Sequence, residues 1–277
     1  MKILITGGTG AFGNAFVKRL LQNDLASRIV VFSRGEYRQF LMAQAFNNDT
    51  RLRFMIGDVR DRWRLMRAMQ GCDIVVHAAA LKRIEVGNYN PVEMVKTNVD
   101  GAVNIIEAAQ DAGIQKVVAL SSDKAFQPIS PYGQSKALAE SIFLAANNTT
   151  GNKGPRFAVT RYGNVWQSTG SVAPVWKSLL EKGETVVPVT DPDCTRFFMK
   201  MDEAVALVLK TIATMKGGEI NIPDLPAYRL GDLAEAMGAK MKITGLPAWE
   251  KLHESMDETR CSANAKRMTV EELRAAL

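Results

Sequence analysis

Residues 1–13 read MKILITGGTGAFG, and this stretch decides the fold. Its short apolar run leads directly into glycines at three-residue spacing, Gly7, Gly10 and Gly13. Glycines in this pattern let the chain turn sharply after a strand, approach a pyrophosphate closely and pack a helix against the strand. The N-terminus of that helix would offer unpaired N–H groups to the anion. The stretch is typical of a dinucleotide site, although a glycine-rich turn also closes ordinary strand–helix units.

Outward from this turn, the first 165 residues alternate between short β-rich runs and longer helical stretches. Most runs are rich in Val, Ile and Leu without clean alternation, which is typical of strands buried on both faces. This repetition predicts the α/β class, a doubly wound parallel Rossmann sheet with right-handed crossovers. The predicted strands are Lys2–Thr6, Arg28–Phe32, Leu52–Ile56, Asp73–His77, Lys116–Ser121 and Phe157–Arg161, and the helices between them include Asn14–Gln22 and Val99–Ala112.

After about Gly163 the rhythm loosens, and short strands, helices and prolines alternate irregularly. We interpret residues 1–165 as the dinucleotide-binding Rossmann domain. Residues 166–277 are predicted to form a smaller α/β lobe over the carboxyl ends of the strands, where doubly wound sheets bind ligands. The elements predicted in this lobe are Val172–Lys182, Thr185–Val189, Asp202–Met215, Glu219–Ile222, Leu230–Met237 and Thr269–Ala276.

The composition excludes several classes of protein. A chain of 277 residues with 47% apolar and 23% charged residues can bury a core and is not a disordered polymer. The net charge of +6 is scattered, which suits anionic small molecules and does not predict a nucleic-acid surface. No apolar run approaches the roughly 18 residues of a membrane span. Three widely spaced cysteines argue against a disulfide framework or a zinc site and favour the cytoplasm.

The end of the second predicted strand distinguishes between the two nicotinamide dinucleotides. An NAD-binding chain usually places Asp or Glu there to hold the ribose 2′-hydroxyl. This chain has Ser33 and Arg34, followed by Arg38, and such groups can bind a 2′-phosphate. The sequence therefore favours NADP, with a solvated loop position as the alternative for Arg34. Asp58 is placed for the adenine amino group, or else to cap the helix that starts near Asp61.

Three residues predict hydride chemistry. Tyr132 and Lys136 are one helical turn apart, and Ser122 precedes Tyr132 by ten residues at the end of the fifth predicted strand. A lysine ammonium beside a tyrosine lowers the pKa of the phenol, so the phenolate can take a hydroxyl proton while hydride leaves the same carbon. Ser, Tyr and Lys in this order resemble the short-chain dehydrogenases/reductases. The TGxxGxxG spacing resembles their extended branch, which acts largely on nucleotide sugars.

Asp123 and Lys124 add an acid and an amine next to Ser122. Oxidation of a sugar at C4 acidifies the C5 hydrogen, which a neutral lysine can remove while a carboxylic acid protonates the departing C6 hydroxyl. Hydride return to C6 would complete a redox-neutral 4,6-dehydration. The alternative for this pair is a surface salt bridge on a loop.

The sequence resembles one family, the UDP-N-acetylglucosamine 4,6-dehydratases that invert C5. The stretches that carry the resemblance are ITGGTGAFG, FSRGEYRQ, IGDVRD, HAAALKRIEVGNYNPVEMVKTNVDGAVNII, VVALSSDKAFQPISPYGQSK, TRYGNV, TRFFM and EKLHE. Retaining dehydratases have Asp-Glu where this chain has Asp123 and Lys124, so Lys124 favours inversion. The resemblance implies a lyase of surface-glycan or flagellin glycosylation pathways. It also implies a tightly held NADP recycled in each turnover, a UDP-sugar substrate and a homo-oligomer.

These arguments together predict a set of site residues and no metal ligand. The predicted catalytic residues are Ser122, Asp123, Lys124, Tyr132 and Lys136. The predicted cofactor-binding residues are Gly7, Thr9, Gly10, Ala11, Phe12, Gly13, Ser33, Arg34, Arg38, Asp58, Val59, Ala78, Ala79, Ala80, Asn98, Tyr132 and Lys136. The predicted substrate-binding residues are Lys82, Tyr162, Asn164, Arg196 and Glu250. The alternatives are a structural ion pair for Arg196 and a helix cap for Asn98.

Two stretches depart from the family pattern. Residues 166–169 are Trp-Gln-Ser-Thr where small residues and an arginine are common, and residues 246–249 are Leu-Pro-Ala-Trp in place of an Arg-Pro-Gly run. We expect these departures to affect the sugar or phosphate pocket. The competing functions are a UDP-sugar 4-epimerase, a dehydratase that stops at a 5,6-alkene, and a non-catalytic NADP-sensing scaffold. Intact Ser122, Tyr132 and Lys136 argue against the scaffold.

Overall fold

The centre of the molecule is a seven-stranded parallel sheet. In the computed structural model, which describes residues 1–151, 154–166, 168 and 170–277, the strand order is β3-β2-β1-β4-β5-β6-β9. The strands are β1 (Lys2–Thr6), β2 (Arg28–Ser33), β3 (Leu52–Ile56), β4 (Ile74–His77), β5 (Lys116–Leu120), β6 (Arg156–Thr160) and β9 (Ile220–Asn221). Strands β2 and β3 are added on one side of β1, and β4 and the later strands are added on its other side. This order confirms the predicted Rossmann fold.

Helices cover both faces of the sheet because successive strand side chains point in opposite directions. Leu4 packs on one layer of helices, whereas Ile3 and Ile5 pack on the other. The first layer comprises α3 (Arg62–Met69), α6 (Gly101–Asp111) and α7 (Pro131–Ala146). The second comprises α1 (Ala11–Gln22), α2 (Glu36–Ala45) and α9 (Met201–Thr214). Apolar residues on both faces explain why the strands lack alternation.

The helix predicted over Val99–Ala112 is longer and less regular than expected. After β4 the chain forms α4 (Ile84–Tyr89) and α5 (Pro91–Met94), then a π-helical turn over Val95–Asp100 that runs into α6. Such π turns are often found near functional sites. This one carries Asn98.

The rest of the chain packs around a separate apolar cluster that includes Trp176, Val187 and Leu233. Its elements are α8 (Val172–Glu181), β7 (Val186–Val189), β8 (Thr195–Phe197), β10 (Ala227–Arg229), α10 (Leu230–Ala236), β11 (Lys240–Ile243) and α11 (Val270–Ala276). Strand β8 pairs antiparallel with β10, and β7 pairs parallel with β11. Strands β8, β10 and β11 were not predicted. Two of them are only three residues long, and the side chains of β11 are exposed, so none has the apolar run of a buried strand.

The two parts of the chain are interleaved. Helix α9 packs against α1, and β9 joins the central sheet beside β6, although both follow residue 165. The division into 1–165 and 166–277 stays a prediction. Within the described residues, no helix combines the length and the apolar character that a membrane crossing requires.

Candidate active site

The turn between β1 and α1 is built by close backbone approaches. Gly7 has φ +65°, and a Cβ there would lie 2.9 Å from the Cα atom of Ala79. A Cβ on Gly13 would lie 2.2 Å from the carbonyl oxygen of Gly8. Helix α1 has no side-chain cap and no acidic residue in its first turn, so its N–H groups face outward with the positive end of the helix dipole. The geometry of this turn is compatible with a pyrophosphate, and its role in cofactor binding stays a prediction.

The residues at the end of β2 are arranged around a buried glutamine. The Nε2 atom of Gln39 donates to Oγ of Ser33 at 3.0 Å, which leaves the serine proton available to another acceptor. The Arg34 side chain is 61% exposed and lies 3.7 Å from the carboxylate of Asp58. Asp58 also accepts from the backbone N–H of Arg60. Asp61 itself caps α3, so the capping alternative for Asp58 is wrong.

Asn98 holds the loop after β4 against α7. Its Oδ1 accepts from the N–H of Leu81 at 2.8 Å, and its Nδ2 donates to the carbonyl of Leu81 and to Oγ of Ser135, both at 2.9 Å. Asn98 lies inside the π turn and not at a helix end, so the cap alternative is wrong. It fixes the loop that follows Ala78–Ala80, the stretch that faces Gly7.

Helix α7 brings Tyr132 and Lys136 to the end of β5. Ser130 caps the helix by accepting from the N–H of Gly133, with Pro131 at the first helical position. The Nζ atom of Lys136 donates to the carbonyl of Leu120 at 2.6 Å. Burial lowers the pKa of Lys136 to about 8, against the opposing charge of Glu140.

The charge of the Lys124 ammonium favours the phenolate of Tyr132, and the same role for Lys136 stays a prediction. Burial raises the pKa of the Tyr132 phenol, and the Lys124 ammonium and the Ser122 hydroxyl offset only part of that rise. Tyr132 therefore carries its proton near neutral pH in the protein alone. Further positive charge near the ring would be needed to form the phenolate.

Asp123 and Lys124 lie in a 3-10 turn after β5, and both side chains are largely withdrawn from solvent. The Nζ atom of Lys124 lies 3.1 Å from Oδ1 of Asp123, 3.2 Å from Oδ1 of Asn164 and 3.3 Å from Oε1 of Glu254. The Ser122 hydroxyl donates to the same Asp123 oxygen at 2.8 Å. The other oxygen, Oδ2, is buried and has no hydrogen-bond partner among the described residues. The pair is not the exposed loop salt bridge that was the alternative.

Two carboxylates keep Lys124 charged. Burial alone would lower the pKa of Lys124, but Asp123 and Glu254 together outweigh it and raise the pKa above the ordinary value. The resting side chain is therefore an ammonium. The neutral lysine that the predicted chemistry requires must form by transfer of a proton to a neighbouring group.

A cavity of about 120 Å³ opens onto this cluster, and its lining includes Lys124, Ser130, Arg196, Glu250 and Glu254. Arg196 is buried and forms an ion pair with Glu250, so two predicted substrate residues contact each other and the ion-pair alternative for Arg196 is present in the structure. An arginine at the rim of a cavity matches the geometry of a phosphate.

The remaining predicted substrate residues are spread around the site. Tyr162 is buried and follows β6, and Asn164 contacts Lys124 as described. Lys82 is exposed just before α4. Among the departures from the family pattern, Trp249 lines the cavity.

Trp166 packs in the second apolar cluster. Its ring contacts Phe198 and Tyr228, with ring centroids 4.9 and 5.8 Å away, and its Nε1 donates to the carbonyl of Ala276 at 2.8 Å. Trp166 thus anchors α11, and an effect of this residue on the substrate pocket stays a prediction. Gln167 and Thr169, the other notable residues of that stretch, lie outside the described residues.

Comparison with known proteins identifies the family of this chain. Residues 3–272 match the family described as polysaccharide biosynthesis protein. The chain belongs to this family. A UDP-N-acetylglucosamine 4,6-dehydratase (inverting) of Campylobacter jejuni is 48% identical over 256 residues, which cover 92% of this chain and 76% of the relative. A UDP-glucose 4-epimerase of Rickettsia akari is 39% identical over 272 residues, which cover 95% of this chain and 79% of the relative.

Two solved structures share the whole fold with this member of the polysaccharide biosynthesis protein family. Pen from Bacillus thuringiensis has a TM-score of 0.94 at 33% identity, covering 99% of this chain and 96% of Pen. DesIV, a dTDP-glucose 4,6-dehydratase of Streptomyces venezuelae solved with NAD and TYD bound, has a TM-score of 0.85 at 25% identity, covering 100% of this chain and 95% of DesIV. These comparisons confirm the predicted family, fold and enzyme class.

The sequence reasoning missed Glu254. The stretch EKLHE, residues 250–254, was recognised as part of the resemblance, but only its first glutamate was assigned to the site. The structure buries the second glutamate against Lys124. A glutamate inside a family stretch, far along the chain from the lysine, was the only signal available.

Proposed function

We propose that this protein is an NADP-dependent, C5-inverting 4,6-dehydratase of UDP-N-acetylglucosamine. The product would be UDP-2-acetamido-2,6-dideoxy-β-L-arabino-hex-4-ulose. The observation that carries the proposal is the buried contact of Lys124 with Asp123, next to Tyr132 on α7. This contact supplies an acid and a base to the two carbons beyond C4, and a simple oxidation would need neither. The family relatives that share this chain's sequence include an inverting enzyme of this kind.

The Asp123–Lys124 ion pair supplies both the proton acceptor and the proton donor of the dehydration step. Transfer of one proton from Nζ of Lys124 to Asp123 across 3.1 Å converts the resting pair into a neutral amine and a carboxylic acid. The amine then takes the C5 proton, and the acid gives its proton to the C6 hydroxyl, which leaves as water. Both residues return to their resting charges, so the pair needs no outside acid or base in this step.

Tyr132 is assigned to the first and last steps. Its phenolate takes the C4 hydroxyl proton as hydride leaves C4, and Ser122 holds the same oxygen. When bound, NADP would accept that hydride and return it at C6. After hydride has reached C6, the resulting sugar enolate is protonated at C5 on the face opposite the one that lost its proton, which inverts the centre. The donor is the Tyr132 phenol by way of water: the C4 hydroxyl proton that it holds passes to C5 and the phenolate is restored.

The cofactor and substrate ends are assigned to different parts of the chain. The turn at Gly7–Gly13 and the stretch Ala78–Ala80 would hold the pyrophosphate of NADP, while Ser33 and Arg34 would bind its 2′-phosphate. Arg196 and Glu250 would separate to bind the UDP diphosphate and the sugar. The proposed setting is the cytoplasm, where UDP-sugars are made, with the enzyme as a homo-oligomer.

Proton NMR of the purified protein with UDP-N-acetylglucosamine in heavy water, without added cofactor, tests the proposal. A new 6-methyl signal, deuterium at C5 and an L-arabino coupling pattern are expected. A 6-methyl product of unchanged ring configuration would remove the inversion. Lys124→Ala should abolish the methyl signal, and unchanged dehydration in this variant would overturn the role of Lys124.

A UDP-sugar 4-epimerase is the second candidate, because relatives such as the Rickettsia akari protein carry that name. Epimerisation at C4 uses Tyr132 and the cofactor and needs neither Asp123 nor Lys124. A C4 epimer that forms equally in wild type and in Lys124→Ala would favour this candidate.

A further inference from the structure

Glu254 reaches the catalytic lysine from the second part of the chain. It is 2% exposed, and its Oε1 lies 3.3 Å from Nζ of Lys124. Its backbone is fixed on both sides, because its N–H donates to Oγ of Ser262 at 2.9 Å and its carbonyl accepts from the N–H of Ser262 at 2.7 Å. A carboxylate held this firmly in a buried place requires a partner charge.

The surroundings of Lys124 match an ammonium group. Nζ has three acceptors, Oδ1 of Asp123, Oδ1 of Asn164 and Oε1 of Glu254, between 3.1 and 3.3 Å away. A lysine ammonium has three N–H donors and no lone pair. Loss of a proton along one of these contacts is therefore what turns Lys124 into a base.

Resting on the proposed function, we propose that Glu254 is a positioning residue for Lys124. Its carboxylate orients the amine and keeps one proton on the Asp123–Lys124 pair for transfer to the substrate. This task differs from that of Asp123, which receives the Lys124 proton and passes it to the C6 hydroxyl; its buried Oδ2 has no hydrogen-bond partner among the described residues. Glu254 also stabilises the ammonium that forms as Lys124 takes the C5 proton, and so assists that step.

Other charged groups meet the pair from every neighbouring element. Arg196 on β8 opposes the charge of Lys124, and the Nζ of Lys251 lies 3.7 Å from Oε2 of Glu254. The titratable phenols that feel the Lys124 charge are Tyr132 on α7 and Tyr228 on β10. Because burial and Arg196 disfavour an ammonium at this place, the charge of Glu254 adds to that of Asp123 in holding the proton on Lys124.

The decisive experiment titrates Lys124 directly, without substrate. Carbon-13 NMR of protein labelled at lysine Cε follows each amine, and Lys124→Arg identifies the signal. Removal of one opposite charge at this distance shifts a pKa by about 1–3 units, so Glu254→Gln should move the Lys124 titration to lower pH by that amount. Glu254→Asp keeps the charge and should restore much of the difference. Glu258→Gln is the matched control, because it makes the same change at an exposed glutamate four residues after Glu254.

Stopped-flow measurement with UDP-N-acetylglucosamine gives the second readout. In Glu254→Gln, oxidation at C4 should keep its rate while the C5 step slows, so reduced cofactor accumulates on the enzyme. Turnover should fall by ~10-fold or more. The loss should be smaller than the ~10²–10⁴-fold that a positioned base contributes to the rate, because Lys124 itself is still present. The alkaline limb of turnover should move to lower pH with the lysine.

A Lys124 signal that titrates at the same pH in wild type and in folded Glu254→Gln would overturn the inference. The same is true of a uniform slowing with no accumulated reduced cofactor. Because the lysine titration needs no substrate, wild-type protein that leaves UDP-N-acetylglucosamine unchanged counts against the proposed function alone, and the titration still decides the role of Glu254.

Discussion

A Cβ atom on Gly133 would lie 2.3 Å from the carbonyl oxygen of Lys124. This glycine in the first turn of α7 therefore lets the turn that carries Asp123 and Lys124 approach the helix that carries Tyr132. The distance between Tyr132 and the Asp123–Lys124 pair therefore depends on the absence of a side chain at position 133.

Gly133→Ala should push the two elements apart. Insertion of a methyl group into a packed contact with backbone costs typically ~1–3 kcal/mol, and here the shift falls on the catalytic groups. We expect a lower free energy of unfolding in urea and a larger loss of dehydration than of C4 oxidation. Gly35→Ala is the control for stability, because its nearest neighbour is a flexible Arg38 side chain at 3.7 Å. Equal stability and activity of Gly133→Ala and wild type would contradict the argument.

Cofactor choice is tested at Arg34. Loss of a charge-assisted contact to the 2′-phosphate removes about 1.5–3 kcal/mol, so Arg34→Ala should weaken NADP binding by roughly 10–100-fold. NAD has no 2′-phosphate and should bind as before. Calorimetry on protein freed of cofactor measures both affinities. A similar loss of affinity for NADP and NAD would mean that Arg34 stabilises the loop and does not bind the 2′-phosphate.

The order of the elements could be predicted from the sequence because buried parallel strands are continuous apolar runs. Lys2–Thr6 and Leu52–Ile56 have the predicted bounds. Strand β11 could not be predicted, since its Lys-Met-Lys-Ile residues are exposed and are held by pairing with β7. The pairing with β7 stabilises this strand, and such a contact cannot be predicted from the local sequence.

The same limit applies to the site. Asp123 and Lys124 are adjacent in sequence, so their pairing could be predicted from the chemistry that an acid and an amine perform together. Glu254 reaches them only through tertiary packing, and no local pattern links it to Lys124. The effect of the Lys124 charge on the pKa of Tyr132 was missed for the same reason, because helix spacing relates Tyr132 to Lys136 and does not show that the turn carrying Lys124 packs against α7.

Acid should destabilise the fold through His77. This buried histidine contacts Oγ1 of Thr6 at 2.8 Å, and burial lowers its pKa from 6.5 to about 3, with a smaller contribution from Lys136. Below pH 6.5 the His77 imidazole becomes protonated in the unfolded chain but stays neutral in the folded chain. The free energy of unfolding therefore falls as the pH drops from 6.5 towards 3. One such group contributes at most about 1.4 kcal/mol per pH unit.

Urea unfolding of wild type and His77→Gln at several pH values measures this effect. The variant loses packing and should be less stable at neutral pH, but its stability should fall less steeply in acid. Parallel curves for the two proteins would show that other groups cause the acid sensitivity.

Trp166 should matter for stability and not for substrate recognition. Its indole N–H is bonded to the carbonyl of Ala276, and its ring packs on Phe198 and Tyr228. Trp166→Phe keeps an aromatic ring and loses the hydrogen bond, which typically contributes about 0.5–1.5 kcal/mol. We expect faster hydrogen exchange in α11 and a lower unfolding free energy, with KM for the UDP-sugar unchanged. The matched variant Trp249→Phe, at the tryptophan that lines the Lys124 cavity, should show the reverse pattern. A changed KM in Trp166→Phe, with the unfolding free energy unaffected, would contradict this prediction and place the residue in the substrate pocket.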